Sequence, residues 1–284
     1  MKKILKKSAA ALAALTLTAA LAGCGSSASS AATSTGTAAS TAETSGENEL
    51  EKVKAAGKLV IGVEGTYPPF TYHDDNGELT GLDVELGKAL AEKLGVEVEF
   101  QEAAWDSLLI GIDTGRFDTV INSVSITDER AEKYDFSTPY AFNRTAVITK
   151  ADDDSINTLE DLKGKKTANT ISSTYAELAE QYGATVTGVD DLNQTFELLL
   201  SGRIDATLNA EMTFYDYTKE HPDANVKIAV LTDDANQIAI PMRKGDDTAT
   251  LRTAIDAAID ELRADGTLKA LSEKYFGRDI STEE

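Results

Sequence analysis

The chain has 284 residues, with 48 acidic against 27 basic side chains and a formal net charge of −21. An acidic excess of this size argues against nucleic-acid binding, which depends on Lys and Arg neutralising phosphate, and it favours a soluble, self-repelling body. Hydrophobic residues make up 42% of the chain, enough to build one large domain or two small ones.

Lys2, Lys3, Lys6 and Lys7 precede an apolar run from Ser8 to Ala22. That run is too short to span a bilayer by itself and reads as the core of a signal peptide. It ends in Leu21-Ala22-Gly23-Cys24, which resembles the bacterial lipobox. The resemblance implies a leader over 1–23 and Cys24 as the lipidated first residue of the mature protein. Cys24 is the only cysteine, so an internal disulfide is excluded. Residues 24–48 follow as a flexible stretch dominated by Ser, Thr, Ala and Gly, with too little apolar surface to order itself. Such a coil spans on the order of 25–30 Å and reads as a tether.

Folded structure is expected from near Leu50. Leu59 to Val63 reads as a buried strand. The spacing of Val84, Leu90, Ala91 and Leu94 predicts a helix over 83–94 that stops at Gly95. A strand is predicted over 96–100, a helix over 105–115 and a strand over 118–122. The series then repeats: strand 166–169, helix 174–182, strand 185–188, helix 193–200, strand 205–209. Near the C-terminus come an apolar strand at 237–240 and two helices, 248–264 and 268–275, broken at Asp265-Gly266. The alternation predicts an α/β fold built on a largely parallel, doubly wound sheet.

The two series share a signature. Gly115-Arg116-Phe117-Asp118-Thr119-Val120-Ile121-Asn122 matches Gly202-Arg203-Ile204-Asp205-Ala206-Thr207-Leu208-Asn209. Each copy follows an amphipathic helix, with Gly as its C-cap. Two related lobes with a cleft between them are therefore expected, a common geometry for a ligand site.

Enzymatic signals are scarce. The two histidines lie far apart: His73 in a polar turn, His221 before Pro222 at a helix end. There is no HExxH, GxSxG, P-loop or GxGxxG opening a helix, and no cofactor or metal is expected. Binding signals are stronger. Glu64-Gly65-Thr66-Tyr67-Pro68-Pro69-Phe70 follows the first strand, where a loop at the carboxyl end faces the crevice of an open sheet. Tyr67 and Phe70 offer flat apolar faces, although either ring also suits the core. Asn122 to Arg130 supplies Ser123, Ser125 and a helix start, and an arginine placed there suits a carboxylate. The plainer alternative is Thr127 as a helix cap with Arg130 on a solvated face. Ser172-Ser173-Thr174 makes a similar helix start in the second lobe.

Taken together, these segments resemble the solute-binding lipoproteins of polar amino-acid ABC importers, of the two-lobed type II periplasmic-binding-protein family. The resemblance runs from about Lys58 to Gly277. It is carried by Glu64 to Phe70, Leu79-Thr80-Gly81-Leu82-Asp83-Val84, Trp105-Asp106, Asn122 to Arg130, Tyr134 to Tyr140, Asp161 to Lys165 and Asp265 to Leu268. It implies that Arg130 clamps the ligand's α-carboxylate, helped by Ser173 and Thr174. It also implies that Tyr67 and Trp105 sandwich the ligand, that Asn122, Ser123 and Ser125 add polar contacts, and that Glu64 faces the amino or side-chain end. The aspartate that often takes the α-ammonium in this family is replaced by Ala210, so Glu211 or Glu64 is expected to serve instead. The Glu64-Gly65-Thr66-Tyr67, Trp105-Asp106 and Tyr175-Ala176-Glu177 stretches look most like cystine-binding members. The expected division is lobe 1 over 49–146 and 235–284 and lobe 2 over 147–234, with hinge crossings near 145–151 and 231–237. The implied protein is a non-enzymatic monomer, anchored outside the cytoplasm by Cys24, that passes an amino acid to a membrane permease. A cyclic-acid dehydratase on the same fold and a surface sensor or adhesin are the alternatives.

Overall fold

The computed structural model describes residues 48–283. The predicted leader, Cys24 and nearly all of the tether lie outside the described residues. The fold opens with helix α1 (Glu49–Ala56), whose first turn is capped by the Asn48 side chain accepting from the Glu51 N–H. Strand β1 (Lys58–Val63) leads to a small antiparallel sheet of β2 (Thr66–Tyr67), β3 (Thr71–His73) and β4 (Leu79–Thr80). Next come α2 (Leu82–Leu94), β5 (Glu97–Glu102), α3 (Trp105–Asp113) and β6 (Thr119–Val120). β1 lies between β5 and β6 and runs parallel to both.

Side chains of β1 alternate between faces, as a strand requires. Leu59, Ile61 and Val63 pack with Leu86 and Leu90 of α2. Val60 points to a second cluster with Leu108, Ile112 and Phe117. A Cβ at Gly62 or Gly111 would sit 2.6 or 2.2 Å from the Phe117 ring, so both positions need glycine for that ring to fit.

The chain continues through α4 (Asp128–Lys133), β7 (Tyr134–Phe136) and β8 (Ala141–Asn143), then crosses at Arg144 into β9 (Thr145–Lys150). A 3-10 turn at Leu159–Leu162 precedes β10 (Lys166–Asn169), α5 (Thr174–Gln181), β11 (Thr185–Gly188), α6 (Leu192–Leu200), β12 (Thr207–Ala210), α7 (Glu211–Glu220) and β13 (Val226–Leu231). It returns through 232–235 to β14 (Asn236–Ile238), β15 (Pro241–Arg243), α8 (Ala249–Ala264) and α9 (Thr267–Phe276). Ile255 and Ile259 of α8 and Leu268 of α9 join the core cluster of β1 and α2, so the C-terminal helices rebuild the first lobe. At the crossing, Thr145 and Thr232 exchange two hydrogen bonds of 3.0 and 2.9 Å.

The sheets are less parallel than the sequence pattern predicts. β10 pairs with β11 in parallel, but β9 lies antiparallel to both β12 and β13. The cause is topological: β9 leaves the first lobe and β13 returns to it, so they run in opposite directions. β8 with β14, and β7 with β15, are antiparallel for the same reason. The predicted strand at 237–240 is split in two around Ala239 and Ile240.

The sequence repeat is also a structural one. Gly115 and Gly202 both take left-handed backbone, at φ 69 and 71°. Asp118 accepts from the Val60 N–H at 2.7 Å, and Asp205 accepts from the Lys166 N–H at 2.8 Å. Each lobe thus uses the repeat's Asp to tie its strand to the neighbouring one.

Candidate ligand-binding cleft

Both copies of the repeat end in an asparagine, and both asparagines line one cleft between the lobes. Asn122 Oδ1 accepts from the Glu64 N–H and from the Thr71 hydroxyl, each at 2.8 Å, while its Nδ2 donates to Glu64 Oε2 at 3.3 Å. This holds Glu64 at the end of β1 facing the cleft. Burial pushes the Glu64 carboxyl up to about 7, and Asp191 and Asp106 add to the rise. From the other lobe, Asn209 Oδ1 accepts from the Tyr67 hydroxyl at 2.8 Å.

Arg130 enters from α4. Thr127 caps that helix by accepting from the Arg130 N–H, as the plainer reading expected, and the guanidinium is nevertheless inside the cleft, 7% exposed. Nη1 donates to Ser125 O at 3.1 Å and Nη2 to Ser172 O at 3.2 Å. Its centre lies 5.4 Å from the Trp105 ring centroid, in cation–π range. No carboxylate lies within 4 Å of it among the described residues. Burial lowers its pKa, while the charge of Glu177, outside ion-pair contact, works the other way; a buried guanidinium with no carboxylate in contact is a poor structural element and a good anion site.

Ser123 is braced from behind by Asp83. Its carboxylate is fully buried and accepts from the Ser123 N–H at 2.6 Å and the Tyr140 hydroxyl at 2.8 Å. Ser123 is held at φ 49°, and its buried hydroxyl has no partner among the described residues. Across the cleft, Asn169 donates to Leu208 O at 2.7 Å, but its Oδ1 is buried without a donor. Ser173 caps α5 by accepting from the Ala176 N–H, and Thr174 lies beside it on the cleft wall.

The structure therefore gathers Glu64, Tyr67, Trp105, Asn122, Ser123, Ser125, Arg130, Ser173 and Thr174 around one space. Two expected residues are elsewhere. Phe70 is 0% exposed in the core of the first lobe. It stacks on Tyr67 at 5.2 Å and packs against Phe276 at 5.4 Å, so it backs the cleft aromatic and does not line the cleft. Glu211 is 2% exposed and faces away from the cleft, between Arg144 at 3.4 Å and Arg278 at 2.6 Å. Both arginines compensate its charge, which leaves it no role as a ligand partner. Asn169, Thr170, Tyr175, Asp191, Leu192, Thr195 and Asn209 complete the lining and were not expected as site residues. The repeat carried a signal for Asn209, since it matches Asn122 position for position. His73 and His221 lie outside the cleft lining.

Among the described residues no group of three His, Cys, Asp or Glu is placed to hold a metal, and no helix is long and apolar enough to cross a membrane.

Two lobes joined by a double crossing, with a polar cleft between them, define a two-lobed binding protein of the type II architecture. Residues 59–278 match the bacterial extracellular solute-binding proteins, family 3, and the chain belongs to that family; it is an extracytoplasmic protein. It is 38% identical over 279 residues to the L-cystine-binding protein TcyA of Bacillus subtilis, covering 98% of this chain and 100% of the relative. An ancestral arginine-binding protein bound to arginine matches with a TM-score of 0.73 at 39% identity, over 78% of this chain and 99% of the other. The L-cystine solute receptor of Neisseria gonorrhoeae, unliganded and open, matches with a TM-score of 0.57 at 43% identity, over 83% and 99%.

Proposed function

We propose that the protein captures a polar α-amino acid, with L-cystine or a related sulfur amino acid favoured, and delivers it to the permease of an ABC importer. The observation that carries this reading is Arg130: a buried cation in the cleft with hydrogen-bonding capacity to spare and no protein carboxylate beside it. An α-carboxylate supplies the missing charge through two parallel hydrogen bonds, with Ser123, Ser125 and Thr174 as neighbours. The Tyr67 and Trp105 rings flank the ligand. Glu64 takes the ammonium in place of an acid at Ala210, and Asn169 Oδ1 offers a further acceptor from the facing lobe. Similarity to TcyA over nearly the whole of both chains supports cystine.

In this reading the chain does no chemistry. Its lobes, 49–146 with 235–284 and 147–234, close on the ligand by bending at the two crossings. Cys24 carries the lipid anchor, the stretch to residue 48 is the tether, and the protein acts as a monomer. A thermal-shift screen of the protein, freed of co-purified ligand, against the twenty amino acids and L-cystine tests it. A ligand that binds only the folded state raises Tm. A shift with L-cystine or one other polar amino acid is expected, and no shift with any would sink the reading.

A further inference from the structure

Among the described residues, three hydrogen bonds join the lobes directly across the cleft: Tyr67 to Asn209, Arg130 to Ser172, and Ser172 to Asp106. Ser172 takes part in two of them. Its carbonyl accepts from Arg130 Nη2 at 3.2 Å, and its hydroxyl donates to Asp106 Oδ1 at 2.6 Å. Its backbone sits at φ 63°, in the left-handed region that a serine adopts only at an energetic cost. Asp106 lies in the first turn of α3, directly after Trp105, whose ring lies under Arg130. One strained residue of the second lobe therefore holds both the clamp arginine and the helix that carries the cleft tryptophan. Neither Ser172 nor Asp106 lines the cleft itself. Their bond is made lobe to lobe, at the exposed rim.

We infer that Ser172 and Asp106 are positioning residues for ligand retention: their hydrogen bond latches the closed lobes and keeps the Ser172 carbonyl in reach of Arg130, without touching the ligand. The inference rests on the amino-acid-binding reading above and adds to it a pair of residues that set residence time. A latch made only after closure acts on escape from the closed state. Dissociation should speed up when it is lost, while association, which starts from open lobes, should barely change.

Trp105 is the only tryptophan of the chain and lies in the cleft, so its fluorescence reports binding directly. Stopped-flow measurement with L-cystine on the full chain is the test. S172G removes the hydroxyl and relieves the left-handed strain, so folding is protected. It should raise the dissociation rate roughly three- to tenfold, the worth of one hydrogen bond, with association changed by less than about twofold. D106A should match it. D106N keeps an oxygen to accept the hydroxyl and should restore slow dissociation. Equal dissociation rates in wild type and S172G would overturn the latch, as would D106N behaving like D106A. If wild type gave no signal with L-cystine or any other amino acid, the binding reading would fall and the latch with it, whereas a wild-type signal with equal dissociation rates in S172G would overturn the latch alone.

Discussion

Arg130 and Glu211 are both charged, both almost fully buried, and both follow the asparagine that ends one copy of the repeat. Their surroundings differ in one respect. Arg130 has carbonyl partners but no carboxylate within 4 Å among the described residues, whereas Glu211 is held between two arginines. A compensated buried charge serves the fold; an uncompensated one inside a cleft waits for a partner from solution. The difference separates a binding residue from a structural one where residue type and burial alone do not.

The strongest way to break this comparison is to remove each charge in turn. Arg130→Ala should weaken amino-acid binding by about 3–4 kcal/mol, roughly a hundred- to a thousandfold, since a charge-assisted pair in a sheltered cleft is lost. The stability of the unliganded protein should move by less than about 1 kcal/mol, because a buried cation without a counter-ion is removed with its two carbonyl bonds. Calorimetric titration and thermal melting of the same sample check both halves. An Arg130→Ala protein that binds as wild type does would remove the clamp from the account.

Glu211→Ala should do the converse. Losing one member of a buried charge cluster costs about 3–5 kcal/mol when its partners stay buried. Arg144 and Arg278 are 39% and 41% exposed, so they can turn to solvent, and about 2–3 kcal/mol is expected. Denaturant unfolding gives the loss. Ligand affinity, measured where the variant is folded, should stay near wild type. A large affinity loss with little change in stability would place Glu211 in the binding machinery after all.

Asp83 sharpens the comparison from a third direction, as a buried carboxyl that supports the cleft without entering it. Burial pushes its carboxyl up from 3.8 to about 7. The folded state thus holds this proton more tightly than the unfolded chain does. The stability contributed by the protonated group is fully present below about pH 4 and is lost as pH rises towards 7. Asp83→Asn can still accept from the Ser123 N–H and satisfy the Tyr140 hydroxyl. It should flatten the fall in Tm between pH 5 and 8 relative to wild type. The same slope in both proteins would mean that Asp83 stays ionised throughout.

Much of this architecture was legible in the sequence, for physical reasons that also mark where legibility stops. The helices at 82–94, 192–200 and 249–264 each bury one periodic face, so spacing reveals them. The strands at 66–67, 79–80 and 119–120 are two residues long and carry no period. The antiparallel pairing of β9 with β13 depends on where the chain recrosses the hinge, some eighty residues later, which no local pattern encodes. The cleft divides in the same way. Arg130, Trp105 and the serines sit in recognisable runs, whereas Asn169 and Asp191 reach the cleft only through the packing of the second lobe. Glu211 was misplaced because its partners Arg144 and Arg278 are each 67 residues away in sequence.

Glu64 lies between the two extremes, and the smallest of the expected effects follows from it. It is a half-buried carboxyl in the cleft whose proton affinity is raised to about 7, mainly by burial. If the ligand's ammonium docks on it, the ionised form is favoured in the complex, and its pKa there falls. Near pH 6.5 the free protein carries a proton at Glu64 that the complex does not. Binding should then release a fraction of one proton, and affinity should climb as pH rises towards 7 and level off above it. Titration calorimetry in two buffers of different ionisation enthalpy counts that proton. Glu64→Gln should release none and lose roughly tenfold in affinity, well short of the loss at Arg130, because the Gln amide oxygen can still accept from the ammonium. Proton release that persists in Glu64→Gln would mean that Glu64 is not the group that gives up the proton and does not take the ammonium.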